Sequence, residues 1–347
     1  MKFVQIVNVR WYNASAWYGI NLSRILKAMG HDVIVAGLPD SPPIRKAKEY
    51  GLQTLEGYFN SDNPLKLYPT IRTFHRMLAE FQPDVVVAHR GEFFWYTALL
   101  KAMGKLPKLI RVRGDIRPPK KNFVNRWLHL QCDAIITSGK FMEQKLIDTY
   151  GLPGEKIRTI YGGVDTSVFF PRDPETIRNV RIRLGIPEGV RLAGIVGRYD
   201  PIKGHDILFK ALTQCTRPVH LIVAVKDDQD IREIDRLAEE NGVSDKVTAV
   251  GHMENIGDFM GSLDVGVISS LGSEAICRVG MEIMACGVPI ITSDVGVLPE
   301  ITEAINRYPS NDPEALAKLL EQEGLAPAEL FADEHFGEEF LTVVSDS

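Results

Sequence analysis

Short apolar runs alternate with amphipathic helical stretches along almost the whole chain, and the series begins twice. Apolar strands separated by helices form parallel sheets covered on both faces. The first series opens with the strand FVQIVNV (3–9) and the helix GINLSRILKAMG (19–30), closed by Gly30. It continues through the strand DVIVAG, the helix LYPTIRTFHRMLAEF (67–81, ended by Pro83), the strand DVVVAH and the helix FFWYTALLKAMG. The strand KLIRVRG, the helix NFVNRWLHLQ, the strand CDAIITSG, the helix KFMEQKLIDTYG and the segment KIRTIYGGV complete it. A second series restarts at VRLAGIVGRYD (190–200) and ends in VPIITSD (288–294). Between them lies the Pro- and Arg-rich FFPRDPETIRNVRIRLGIPEG (169–189). The pattern predicts an α/β chain of two doubly wound, Rossmann-like domains, 1–168 and 169–334, with a linker near 165–190. A C-terminal helix over 335–347 is a candidate to pack back on the first domain. Ligands of such sheets sit beyond the carboxyl ends of the strands, so a cleft between the domains is the expected site.

Charge divides along the same line. Residues 1–170 carry 24 Lys and Arg against 14 Asp and Glu, a net +10; residues 171–347 carry 16 against 31, a net −15. The stretch 101–126 holds nine basic residues and the single acid Asp115. A basic half attracts phosphorylated ligands or anionic lipid, so peripheral contact of the first domain with an anionic membrane is one expectation. Nucleic acid is not expected, because no recognition motif accompanies the charge. Cys132, Cys215, Cys277 and Cys286 lack CxxC spacing and suggest neither a zinc nor a disulfide framework. The first residues, MKFVQIVNVR, read as a strand rather than a signal peptide, and no run approaches 18 apolar residues, so a cytoplasmic protein is expected.

Two stretches of the second half carry chemistry. GSEAICRVGMEIMACGVP (272–289) places Glu274 and Glu282 eight residues apart. Were both helical, they would stand about 12 Å apart along the axis. That exceeds the roughly 5 Å of a retaining glycosidase pair. They suit the two ends of an extended ligand, with the N–H groups of Ala275, Ile276 and Cys277 opening a phosphate-binding helix start between them. Isolated glutamates are usually solvated, but the apolar sequence after Glu282 predicts a buried helix, where a carboxylate needs a partner. GIVGRYDPIKGHD supplies Arg198 and Lys203 after an apolar strand, with Gly197 and Gly204 alongside. Fixed cations stabilise a diphosphate leaving group.

GRYDPIKG and SEAICRVGMEIMACGVPIITSDVGVLPE together resemble the signature of the family 4 retaining glycosyltransferases, which have the GT-B fold of two Rossmann-like domains facing across a cleft. TSGKFMEQKL, IYGGVDTSVFFP and GHDVIVAG extend the resemblance over nearly the whole chain. It implies transfer of a sugar from a nucleotide-diphospho-sugar with retention, by a front-face reaction that needs no enzymic nucleophile. It also implies that Glu274 contacts the donor sugar, Glu282 the ribose hydroxyls, and Arg198 and Lys203 the diphosphate. The backbone around His252 and Met253 would meet the base. No metal or other cofactor is expected beyond the donor itself.

The chain departs from that pattern in two places. Ala275 and Cys277, on either side of Ile276, stand where the resembled family often has glycines, so a differently shaped loop is expected. In the first half Asn13, Ala14 and Ser15 replace a Gly-Gly loop, and Arg113 stands in place of a usual histidine; an Arg binds anions but shuttles no proton. His89, Glu92 and Asp115 complete the acceptor-side candidates. The Asp228–Asp230 pair resembles a metal-binding DxD but is better explained as acids at a helix start. Gly162-Gly163 lacks the rest of a dinucleotide fingerprint. The expected function is transfer to a saccharide or lipid-linked saccharide acceptor, such as a lipopolysaccharide-core or other envelope intermediate. The alternatives are a nucleotide-sugar epimerase on the same fold and a non-catalytic nucleotide-sugar-binding protein.

Overall fold

The computed structural model describes residues 1–272, 274–327 and 330–347. The chain forms two compact units, one of residues 1–163 with 333–347, the other of residues 164–332. The first division thus falls before Val164 rather than after 168, and the return falls before Asp333 rather than after 334.

The first unit contains β1 (Lys2–Ile6), α1 (Ala14–Ala28), β2 (Asp32–Gly37), α2 (Pro42–Glu49), β3 (Gln53–Glu56), α3 (Pro64–Phe81) and β4 (Val85–Ala88). It continues with α4 (Phe94–Ala102), β5 (Lys108–Arg113), α5 (Phe123–Leu130), β6 (Ala134–Thr137), α6 (Lys140–Tyr150) and β7 (Ile157–Thr159). Its seven strands are parallel in the order β3-β2-β1-β4-β5-β6-β7. β1 lies between β2 and β4, in register Val4↔Ile34 and Val4↔Val86. Strands covered on both faces are apolar throughout, and β4 is buried at all four positions. α2 and β3 escape the sequence pattern. PPIRKAKE is mostly polar with two prolines, and QTLE is an edge strand whose ends are exposed.

The second unit contains α7 (Pro174–Arg183), β8 (Arg191–Val196), α8 (His205–Gln214), β9 (Val219–Ala224), α9 (Asp228–Glu240), β10 (Val247–Val250), α10 (Ile256–Gly261) and β11 (Val265–Ile268). α11 (Arg278–Ala285), β12 (Ile290–Ser293), α12 (Leu298–Ile301), β13 (Arg307–Tyr308) and α13 (Pro313–Glu321) follow. Its six parallel strands run β10-β9-β8-β11-β12-β13. In each sheet the order reverses at the first strand of the unit, between β1 and β4 and between β8 and β11.

Residues 165–190 are not a free linker. Asp173 caps α7 by accepting from Glu175 N and Thr176 N, with Pro174 at the first helical position. Val180 is buried, and Arg172 and Arg181 reach Asp258 (2.6 Å) and Asp264 (2.8 Å) within the same unit. The arginines that look like a solvated tether are its anchors. The last helix, α14 (Asp333–Asp346), belongs to the first unit and packs on α1. Asn21 donates to Asp333 Oδ1 (2.7 Å), Arg24 pairs with Asp333, and Phe336 meets Tyr18 edge-on at 4.8 Å. Gly163 lets this helix approach, since a Cβ there would sit 2.8 Å from Asp333 Cα and Phe336 Cβ. Asp228 and Asp230 occupy the first turn of α9, whose cap is Asp227. Their place in the fold is the helix start that the sequence suggested.

Four buried histidines link the fold to pH, and burial lowers the pKa of each, His220 included. Burial holds His89 at about 3 and His129 and His205 at about 4, well below the ordinary range. An unfolded chain takes up these protons at about 6.5. Between that value and the folded ones the unfolded state binds more protons, so stability falls as pH falls. We expect the melting temperature to drop steeply as pH is lowered from about 6.5 towards 4. His205→Asn should flatten this slope in the second unit; an unchanged profile would refute the assignment.

Candidate functional site

The carboxyl ends of β8 and β11 form the reversal point of the second sheet, where parallel sheets open a crevice. Two loops meet there. The loop after β8 passes through Gly197 (φ +148°) and Arg198 into a 3₁₀ turn, Pro201–Lys203, capped by Asp200, which accepts from Ile202 N at 3.1 Å. Gly204 follows with φ +72°, and a methyl group on it would overlap the Ser269 carbonyl oxygen. Ser269 Oγ in turn donates to the Lys203 carbonyl at 2.8 Å. The lysine backbone is thereby docked on the end of β11.

Glu274 lies on the loop after β11, ahead of α11, so the two glutamates do not share one helix. It is 8% exposed and ion-paired with Lys203. Ser270 Oγ donates to the same carboxylate oxygen at 2.6 Å. The Glu274 carbonyl accepts from Val297 N at 2.9 Å. That bond needs Gly296, at φ +60°, because a methyl group there would overlap the Glu274 carbonyl oxygen. Three loops therefore fix one carboxylate. Ser270 and Gly296 did not stand out in the sequence; the glycine after the β12 strand in TSDVG was the available signal.

The loop shape follows from the residues that replace glycine. Among the described residues the non-glycines with positive φ are Asp40, Gln82, Phe93 and Asn311, so Ala275 and Ile276 keep ordinary backbone conformations. Ile276 and Cys277 are buried and act as apolar anchors, with Ala275 half-buried. Gly280 makes room for the thiol, since a Cβ there would lie 2.6 Å from Cys277 Sγ. Burial pushes the Cys277 thiol far above its ordinary value, so it holds its proton. α11 begins at Arg278, and the Arg278 N–H is turned towards the Ile276 carbonyl.

Glu282 sits mid-helix, 3% exposed, and meets Arg278 one turn earlier at 2.7 Å. Burial raises its pKa, and Arg278 offsets the shift only in part. The ionised form is therefore disfavoured in the folded state relative to the unfolded chain. Arg198 is largely exposed and pairs with Asp200 at 2.9 Å. His252 and Met253 follow β10 at the far edge of the sheet, exposed and half-buried respectively. The structure thus brings Glu274 and Lys203 together, holds Arg198 in the same loop as Lys203, and keeps Glu282 on α11.

In the first unit, Asn13 is the α1 cap, accepting from Ala16 N at 3.1 Å. Ser15 Oγ donates to the Gly114 carbonyl at 2.7 Å, tying the start of α1 to the loop after β5. Arg113 donates to the Arg117 carbonyl at 2.9 Å and lies 3.5 Å from Asp115. His89 is buried with Nε2 at 2.7 Å from Gln5 Oε1, and burial keeps it neutral. Its packing requires Gly19, where a Cβ would come within 3.2 Å of the ring. Glu92 is bound by Arg90 at 3.0 Å.

Two outcomes test this geometry. Gly296→Ala should destabilise the second unit by about 1–3 kcal/mol through overlap at a positive-φ site; a melting temperature equal to the parent's would contradict the packing of Gly296 on Glu274. Glu282→Gln removes a carboxylate whose folded pKa is raised. The parent's penalty is absent below the unfolded value and grows as pH rises through the folded one. The variant should therefore melt higher than the parent at neutral pH and match it in acid, measured by thermal unfolding across pH.

Residues 16–168 match the family profile described as Glycosyltransferase Family 4, and residues 191–322 that described as Glycosyl transferases group 1. The D-inositol 3-phosphate glycosyltransferase of Xylanimonas cellulosilytica is 28% identical over 315 residues, covering 81% of this chain and 75% of the relative. For two further bacterial enzymes of that name the matched share falls to 60% and 48% of their length. The fold is similar to that of Anabaena Alr3699/HepE, crystallised with UDP, at a TM-score of 0.85 and 18% identity over 100% of both chains. The lipopolysaccharide outer core galactosyltransferase WaaB, in its apo form, gives 0.75 and 15% over 99% of both chains. The two family profiles and the two parallel sheets converge on one conclusion: the chain belongs to the family 4, group 1 glycosyltransferases and has the GT-B fold.

Proposed function

We propose that this glycosyltransferase moves a sugar from a nucleotide-diphospho-sugar to a saccharide or lipid-linked saccharide acceptor, with retention of configuration and without a required metal. The observation that carries the reading is the Glu274–Lys203 pair at the reversal point of the second sheet, its glutamate buried and its lysine partly exposed, locked by Ser270, Gly204 and Gly296. Breaking a glycosyl–diphosphate bond places negative charge on the leaving phosphate. Lys203 is a fixed cation in position to meet it, and the exposed Arg198 can turn from Asp200 to the same phosphates. When the phosphates bind, Lys203 is shared between them and Glu274. The carboxylate then faces the sugar as a hydrogen-bond acceptor whose place is already set.

Glu282 serves the other end of the donor. Its carboxylate is buried away from solvent and has the acceptor capacity for two hydroxyl donors, such as those of a ribose. Support for a uridine nucleotide comes from the structural neighbour that binds UDP. Support for a saccharide acceptor comes from relatives named as inositol-phosphate and lipopolysaccharide-core transferases, and from the basic balance of residues 1–170. An envelope saccharide intermediate fits both.

Lys203→Ala and Glu274→Ala should each lower kcat by roughly 10²-fold or more, as loss of a group that stabilises transition-state charge does. Glu282→Gln should instead weaken donor binding. The measurement is sugar transfer from a panel of UDP-sugars, with chelator present and absent, and with donor alone to detect epimerised sugar. Turnover that survives in Lys203→Ala or Glu274→Ala would refute the site; a strict metal requirement would refute the metal-free step.

A further inference from the structure

The proposed transfer leaves a group of charges in the first unit without a use. Arg90, Arg111 and Arg113 stand at or just beyond the carboxyl ends of β4 and β5, and Arg117 follows in the next loop. Arg111 is 2% exposed and lies over the Phe94 ring at 5.0 Å. It donates to the carbonyls of Ala88 (2.6 Å) and Val112 (2.7 Å), and its Nε has no partner among the described residues. It makes no ion pair there. Arg113 has only 12% of its side chain exposed and also keeps a buried, unpartnered Nε. Its nearest carboxylate, Asp115, is 3.5 Å away and is shared with Arg117 at 3.7 Å. Glu92 is taken by Arg90. Four guanidinium groups therefore share two carboxylates, and one of the four is wholly buried. A buried charge without a counter-ion is costly.

Neighbouring groups add to the same field. The 15-residue helix α1 has no acid in its first turn, and Ser15 ties that turn to Gly114 beside Arg113. Asn8 and His89 are each 3% exposed at the ends of β1 and β4, the reversal point of this sheet. Both side-chain atoms of Asn8 and Nδ1 of His89 have no partner among the described residues.

We propose that this edge of the first sheet binds a phosphoryl group of the acceptor, with Arg113 and Arg117 as its charged contacts and Arg111 as a buried charge behind them. The word acceptor rests on the transferase reading; the anion site does not. Arg113 carries a fixed charge and forked donors, which suit a dianion. The position therefore selects the charge of the acceptor and does not move its proton.

The test is titration calorimetry and thermal shift with inorganic phosphate against chloride at equal ionic strength, donor absent. The parent should bind phosphate and melt higher. Arg113→Gln should bind it roughly tenfold more weakly or worse, and Arg117→Gln should lose less. A sugar phosphate that stabilises more than both its parent sugar and inorganic phosphate assigns the site to the acceptor. Equal stabilisation by inorganic phosphate overturns that assignment and leaves a free-phosphate site. With a phosphorylated acceptor, Arg113→Gln should raise KM more than it lowers kcat. Phosphate binding unchanged in folded Arg113→Gln would overturn the proposal; if that variant does not fold, unchanged binding in Arg117→Gln does so. Absence of transfer from every donor would sink the transferase reading while the phosphate titration still reads the anion site.

Discussion

The Lys203–Glu274 ion pair is the constraint around which the second unit is arranged. Each partner comes from a different loop, and neither loop would hold its course without the other. Gly204 allows the lysine turn to lie against the Ser269 carbonyl, and Gly296 allows the loop after β12 to lie against the Glu274 carbonyl. A side chain at Gly204 would push the lysine turn off the end of β11, and one at Gly296 would push the loop after β12 off the Glu274 backbone. The carboxylate is thus oriented by packing and backbone hydrogen bonds before any ligand arrives, which is what a positioning role requires.

Much of this was legible in the sequence because parallel sheets announce themselves. Continuous apolar strands such as VVVA and VHLIVA, each followed by a helix, leave few alternatives to a doubly wound fold. What escaped was local and polar. α2 and β3 lie at an edge, where periodicity fades. α7 was hidden because Arg172 just before it and Arg181 within it make partly buried ion pairs that composition cannot distinguish from a solvated tether. The candidate residues Lys203 and Glu274 could be chosen by spacing and resemblance, but Ser270 and Gly296 could not. Their roles depend on which loops meet at the reversal point, and that is a property of strand order.

The loop from Glu274 to Cys277 takes its shape without glycine. Glycine lets a backbone bend towards phosphate through positive φ. Here Ile276 and Cys277 hold the segment by burying apolar side chains, and Gly280 and Gly296 supply the close approaches from neighbouring turns. The freedom has moved from the loop to the groups that pack against it.

The two glutamates then differ in how the fold treats their charge. Glu274 has a cation, a hydroxyl and a locked backbone, so its charge is met within the protein. Glu282 is buried more deeply, and among the described residues its carboxylate meets Arg278, a partner on the half-exposed face of its own helix. Its raised pKa means that the fold bears a cost for keeping an ionised group there. A purely structural position would favour Gln or Leu, which carry no such cost. The donor-binding role proposed for Glu282 gives that cost a reason, since hydroxyls of a bound ligand would replace the water that burial removed.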